Sequence, residues 1–318
     1  MTQIHLHAEP GDYAPVVLLP GDPNRATRIA DRFDGGVEGS RLVNANRGLL
    51  GYTGTVDGVP VSVQTTMMGA PTTTIVMEEL LNLGATTFIR VGTCGGFGRL
   101  DIGDVVVAMA AASWAGIGNV LGGGEPTAPT GSFDVIDALG RASRAQGLTT
   151  HVGPIVTTDV FYDPSPDGVV RWGRRGYLAA EMETAAVYLL AMRERAKGRD
   201  VRAGTILTVS DVIRDPADVD GTRKLGNEDW YRPPEDEVAR RVDLTIGAAL
   251  IAAAELGRGV ATPVYGPGTK DRPSAMSSSR SSMSSHPIDR RTMPPSLGRG
   301  YTSVWMSPRL TPMSHRRR

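Results

Sequence analysis

"FIRVGTCGGFG", residues 88–98, is the stretch on which the reading of this chain turns. Phe88, Ile89 and Val91 form a short β-prone apolar run that reads as a strand. Arg90 interrupts it, and glycines follow. A guanidinium set among apolar neighbours demands an anionic partner, because an unpaired buried charge costs several kcal/mol. Glycines after a strand evoke dinucleotide binding, but these lead toward another strand and not a helix, so that fingerprint does not fit. The stretch therefore marks an α/β sheet whose strand ends carry polar groups for something other than a nicotinamide cofactor.

Outward from this run the elements alternate. Strands are expected at Val16–Leu19, Val61–Thr65, Thr87–Val91, Val105–Met109, His151–Val156 and Gly204–Val209, each bounded by Gly, Pro or Asp. Helical patterns fall between them: Thr72–Leu83 after Pro71 and before Gly84, and Asp134–Gln146 before Gly147. Met182, Ala185, Ala186, Leu189 and Leu190 share one helix face, as do Val238, Val242, Ile246, Leu250 and Ala253. This order predicts a single α/β domain over residues 1–257, a three-layer α/β/α arrangement about a central mixed sheet. "GEPTAPTGS", 124–132, reads as an exposed loop.

The 318 residues, 40% hydrophobic and 21% charged, suffice for a full core, and 5% aromatics argue against a sandwich. Formal charge is zero, which gives no reason to expect nucleic acid or membrane as a partner. No run approaches the roughly 18 apolar residues of a membrane span, and "MTQIHLHAEPGDYAP" lacks a basic leader, so a cytoplasmic protein is expected. Cys94 is the single cysteine, which excludes an internal disulfide and a zinc cluster of thiolates. His5 and His7 have no acidic partner at ligand spacing, and no metal is expected. The neutral total hides a division: residues 258–318 hold eleven Lys or Arg against Asp271 and Asp289. With "SAMSSSRSSMSSHP" at its centre and no apolar period, this segment reads as a disordered basic tail. A weak contact with RNA or an acidic partner through "YTSVWM", 301–306, is the functional alternative.

In α/β folds, chemistry gathers where strands deliver their C-terminal ends to loops. "LLPGDPNRA", 18–26, ends a strand at Gly21 and places Arg25 within one turn. "NANRGLLGYTG", 44–54, sets Arg47 just before another strand. Together with Arg90 and Thr93 these form a cradle for inorganic phosphate, whose faces suit forked guanidinium donors. No Walker-type Lys-Ser/Thr and no serine elbow occur, so phosphate is expected as a free substrate and not as part of a nucleotide. Taken singly, each residue has a plainer use in a turn or a structural ion pair.

"AAEMETAAVY", 179–188, places Glu181 and Glu183 at the head of a helix. Acids in a first turn ordinarily serve the helix dipole, worth a few tenths to about 1 kcal/mol. Positions two apart on a helix project in nearly opposite directions, so one contact is not expected to explain both, and Met182 between them is expected to face inward. A carboxylate beside a pocket is a natural acceptor for the vicinal hydroxyls of a sugar. "TVSDVIR", 208–214, then brings Ser210 and Asp211 to the same rim, where the plainer reading is a helix N-cap.

Taken in order, "HAEPGDYAPVVLLPGDPNRA", "NRGLLGYTG", "MGAPTTTIVMEEL", "FIRVGTCGG", "DVFY", "AEMETAAVY" and "TVSD" resemble the bacterial hexameric-type nucleoside phosphorylases, purine and uridine enzymes alike, over about residues 3–256. The resemblance implies that Gly21, Arg25, Arg90 and Thr93 hold phosphate. It implies a homo-oligomer, a hexamer built as a trimer of dimers, in which a neighbouring subunit lends Arg47 to the phosphate and His5 to the ribose 5′ hydroxyl. Glu183 and Met182, with Glu181 nearby, would hold the sugar. Phe161 would cover the base, and Asp211, preceded by Ser210, would protonate a purine leaving group. No cofactor is implied.

Purine members assist the aspartate with a downstream arginine, and here Arg214, Arg223 and Lys224 are all available. Uridine members read uracil through a Gln and an Arg shortly after the aromatic residue, and "FYDPSPDG", 161–168, has neither. "VMEELLNLGATTFIRVGT" and "THVG" nonetheless look as much like the uridine enzyme. A purine nucleoside phosphorylase is the favoured expectation and a uridine phosphorylase the alternative, with a water-using nucleosidase or a non-catalytic nucleoside binder behind them.

Overall fold

The computed structural model describes residues 3–98, 100–114, 116–163, 168–213 and 235–259. The chain divides into two units, Met1–Gly268 and Thr269–Arg318, and every described residue lies in the first. The basic stretch expected as a tail falls, from residue 260 onward, outside the described residues. So do Arg214, Arg223 and Lys224.

Strand β1 (Val16–Leu19) is wholly buried, as its four consecutive apolar residues require, and runs parallel to β4 (Val59–Gln64) and β5 (Thr87–Phe97). At the edge, β2 (Arg41–Asn44), β3 (Gly51–Val56) and β4 form an antiparallel meander. Beyond β5 come β8 (Ala179–Glu181), β7 (Thr150–Thr158), β6 (Val105–Trp114) and β9 (Arg202–Ile213), so the nine strands stand in the order β2-β3-β4-β1-β5-β8-β7-β6-β9.

The sheet does not end at β9. That strand returns to pair in parallel with β5 from Thr87–Arg202 to Phe97–Ile213, so that β5, β8, β7, β6 and β9 close into a ring. The length of β5 makes this possible: its first residues face β1 and β9, while Gly95 and Gly96 pair with β8 and β9. Closure gathers the ends of β5, β7, β8 and β9 at one place.

All six expected strands are present, and Val16–Leu19 matches to the residue. The expectation that β5 stops at Val91 is corrected, since the strand continues six residues through the glycines. Pairing on both sides keeps them extended, and space requires them. A Cβ on Gly92 would stand 2.8 Å from an Arg90 terminal nitrogen, and one on Gly95 would stand 2.9 Å from Asp211 Oδ2.

Helix α1 (Pro23–Ala30) starts with proline in its first turn, and the Asp22 carboxylate accepts from Asn24 N at 2.9 Å. The Asp-Pro pair that reads as a turn is thus a helix start, and it fixes where Arg25 emerges. Helices α2 (Ala70–Asn82), α3 (Gly116–Leu121), α4 (Phe133–Ala145), α5 (Val170–Gly173), α6 (Thr184–Ala196) and α7 (Glu235–Gly257) follow. Alternation along the strands sends side chains to two cores. Val17, Leu19 and Phe88 pack with Met77 and Leu80 of α2 and Leu190 of α6, while Leu18 and Ile89 pack with Ile29 of α1, Leu139 of α4 and Ile246 of α7. Helices therefore cover both faces of the mixed sheet, as the three-layer expectation requires.

Candidate active site

Arg90 lies on β5 with its side chain only 6% exposed. Its Nε donates to Glu181 Oε2 at 2.8 Å, and a terminal nitrogen pairs with Glu183 Oε2. The anionic partner demanded by the sequence is thus supplied within the chain, by two carboxylates at once.

This corrects the expectation for "AAEMETAAVY". Glu181 is not on a helix: it is the last residue of β8, and Glu183 stands at the position capping α6. The chain turns between them, and this turn lets residues two apart converge on one guanidinium, which helical geometry would forbid. Met182, expected to face inward, is half-buried.

Glu181 has its hydrogen-bonding capacity filled. Besides Arg90, it accepts from Thr157 Oγ1 at 2.6 Å, from Glu183 N at 3.0 Å and from Thr184 N at 3.0 Å. It thereby satisfies amides at the start of α6 that have no partner within the helix. Glu183 Oε1 accepts from Gly69 N at 2.5 Å, where a φ of 92° calls for glycine. Burial lifts the Glu183 carboxyl above the ordinary range; Arg90 pulls it back down and Glu181 pushes it further up. For Arg90, burial opposes the charge, but Glu183 and Glu181 outweigh it and raise the pKa.

Arg25 projects from the first turn of α1 toward the same strand. One terminal nitrogen donates to the Val91 carbonyl at 3.3 Å, while Nε is buried without a partner. Among the described residues no carboxylate lies within ion-pair reach of it. Burial, aided by the like charge of Arg90, pushes its pKa down to about 10. Gly21 sits close by: a Cβ there would stand 3.1 Å from the Met67 carbonyl, in the segment that ends with Gly69. Thr93 lies three residues beyond Arg90 on β5, half-buried and paired with Thr208 of β9.

Asp211 reaches the cluster through a β-bulge. Cys94 pairs with Val209 and Gly95 with Asp211, so Ser210 is the extra residue. Its hydroxyl donates to Asp211 Oδ1 at 2.8 Å. The N-cap reading of this pair fails, because β9 runs on to Ile213. Phe161 and Tyr162 follow β7 at the rim, 53% and 73% exposed, with their rings edge to face at 5.0 Å.

His5 and Arg47 form a separate group. His5 Nδ1 stands 2.7 Å from Glu79 Oε1, and the buried Glu79 carboxylate also accepts from the amides of His5 and Leu6. Asn46 Nδ2 donates to the His5 carbonyl at 2.9 Å and brings the 3₁₀ turn Asn46–Gly48 alongside. Arg47, in that turn, has φ 55° and is exposed, with no carboxylate partner among the described residues. Asp57 and Met67 share this left-handed backbone, and a non-glycine residue held there stores about 1–3 kcal/mol of strain. No described contact links this pair to Arg25 or Arg90.

Two contributors have no signature in the sequence. Thr157 looks like any β-branched strand residue, and Gly69 like a simple break before α2. Among the described residues no group of three or more His, Cys, Asp or Glu is placed to hold a metal ion. No described helix is long and apolar enough to cross a membrane.

A mixed α/β sheet partly closed on itself thus carries at its strand ends an arginine–dicarboxylate cluster and, beside it, a half-buried arginine with no carboxylate partner among the described residues. The sequence profile of the phosphorylase superfamily matches residues 15–232, and the chain belongs to that family. Among similar proteins are three named purine nucleoside phosphorylase DeoD-type. That of Geobacillus sp. (strain WCH70) is 42% identical over 212 residues, covering 66% of this chain and 86% of the relative. That of Bacillus cereus (strain B4264) is 42% identical over 66% and 87%. That of Clostridium perfringens (strain ATCC 13124) is 41% identical over 65% and 86%.

Proposed function

We propose that this chain catalyses phosphorolysis of purine nucleosides, releasing the free base and the sugar 1-phosphate. One observation carries the reading: Arg25, desolvated and lying next to Arg90, has no carboxylate partner among the described residues, which leaves its charge for an anionic ligand. The relatives, purine nucleoside phosphorylases by name, favour a purine substrate over uridine.

Phosphate binds against Arg25 and Arg90, with Gly21 allowing close approach of the backbone and Thr93 adding a hydroxyl. Held below the sugar, it attacks the anomeric carbon as the bond to the base breaks. The developing oxocarbenium charge is stabilised by the adjacent anion, and fixed placement supplies the entropic part. Glu183 and Met182 hold the sugar, and Phe161 covers the base. Asp211, oriented by Ser210, donates a proton to the leaving purine and must therefore be protonated when it acts, although a free Asp titrates near about 3.9. Phosphate is a substrate and no cofactor takes part. His5 and Arg47 serve the site of a neighbouring copy in a homo-oligomer, a hexamer of paired subunits, consistent with their separation from Arg25 within one chain.

The test is base release from inosine, adenosine, uridine and 5′-methylthioadenosine, each with and without phosphate. Inosine or adenosine turnover that requires phosphate is expected. Uridine as the sole substrate would overturn the purine assignment, and equal rates without phosphate would make the chain a hydrolase.

A further inference from the structure

We infer that Thr157 is a positioning residue for the phosphate-binding guanidinium of Arg90, acting through Glu181; the inference rests on the phosphorolytic reading above. Thr157 is the penultimate residue of β7 and is fully buried, so it touches no substrate. Its hydroxyl makes two bonds of opposite sense: it donates to Glu181 Oε1 at 2.6 Å and accepts from Ala185 N at 3.0 Å. One oxygen therefore ties β7 to the end of β8 and to the first turn of α6.

The donor half of this arrangement is more than helix capping. The Glu181 carboxylate already receives the amides of Glu183 and Thr184, so α6 is capped without Thr157 donating anything. What the hydroxyl adds is a second and shorter bond to Oε1, 2.6 Å against 3.0 Å from Thr184 N, reaching it from the β7 side. With Oε1 held, Oε2 is aimed at Arg90 Nε, and Glu183 takes a terminal nitrogen on the other side. The guanidinium plane is thereby set by two carboxylates, one of them oriented by Thr157. Without the donor, Oε1 keeps only the longer bond from Thr184 N, and the carboxylate, now held from the α6 side alone, can tilt and take the guanidinium with it. A forked donor turned out of plane loses its fit to a tetrahedral oxyanion.

The experiment compares the parent with T157V, T157S and T157C. Phosphate KM is measured at saturating inosine, inosine KM at saturating phosphate, and phosphate affinity by calorimetry without nucleoside. T157V keeps the shape and loses both bonds; phosphate KM is expected to rise about tenfold or more, and inosine KM to change less than about threefold. T157S retains both bonds and should fall within about twofold of the parent in both, a rescue that a volume effect would not produce. Should T157V not fold, T157C and T157S, near in size but unlike in hydrogen-bond strength, decide the matter, with weaker phosphate binding expected for Cys. Unchanged phosphate KM in folded T157V, or equal values for Cys and Ser, would overturn the inference while leaving the proposed function intact. A parent that releases no base from any nucleoside would instead overturn the function, and the calorimetric phosphate series would still judge Thr157.

Discussion

Helix α6 carries a cluster of arginines and carboxylates at each end, and the two clusters are built on opposite plans. At its C-terminal end the buried Glu194 accepts from Arg193, Lys197 and Arg199 at 2.8–2.9 Å. Arg193 also grips Glu78 of α2, and Arg199 donates to the Leu81 carbonyl at 3.1 Å. The cations sit where the helix dipole favours them, and Glu194 is held down to about 2, chiefly by Lys197. The N-terminal cluster is arranged otherwise. Arg90 is over-provided with carboxylates while neighbouring Arg25 has none among the described residues, and burial has lowered its pKa. Where every charge finds a partner inside the chain, the cluster fastens two helices. Where one lacks a carboxylate among the described residues and sits in a desolvated place, the fold retains a cost that, on the proposed function, phosphate relieves.

Substitutions at the two ends should therefore give opposite profiles. The largest effect is expected from Arg25→Gln, which should lower kcat/KM for phosphate by about 100- to 1,000-fold, the range for losing a donor to a reacting oxyanion. Its Tm should stay within about 2 °C of the parent or rise, because a desolvated cation is removed. A large fall in Tm with activity retained would erase the contrast between the ends. Next, Asp211→Asn should reduce turnover of 6-oxopurine nucleosides by about 100-fold, as loss of a general acid does, with phosphate affinity unaltered. Turnover equal to the parent's would remove Asp211 from the mechanism.

Glu194→Gln should behave in the reverse way, with kcat/KM within about twofold of the parent and a stability loss of about 1–3 kcal/mol, read as a lower Tm. Its sign in pH follows from the depressed pKa. The ordinary value is 4.5 and the folded value about 2, so the stabilisation is complete above 4.5 and is lost as pH falls from there toward 2. The variant should show a flatter decline of stability across that window and an unchanged alkaline limb. Parallel acid limbs would assign the acid sensitivity to other carboxylates.

The same contrast explains what could be read from the sequence. Strand β1 was legible to the residue because four apolar residues end abruptly at Pro20 and Gly21. Arg25 and Arg90 were legible because charge next to apolar runs is conspicuous, and Asp211 because it closes one. The continuation of β5 was not, since glycines carry no strand signal and are kept extended by pairing with β8 and β9. The shared partner of Glu181 and Glu183 was hidden by a strand-to-helix break inside a segment that reads as one continuous helix. Thr157 was invisible because its hydroxyl acts on a residue 24 positions away, and the Glu79 contact of His5 spans 74. Local pattern reveals which residues are charged and where apolar runs stop; it does not reveal which charge the fold pairs with a carboxylate.

The charge on Arg25 is most directly tested by following inosine turnover with phosphorus-31 NMR in phosphate buffer. The account predicts ribose 1-phosphate accumulating in equal amount with hypoxanthine, at the expense of inorganic phosphate. Free ribose alongside an undiminished inorganic phosphate signal would contradict it.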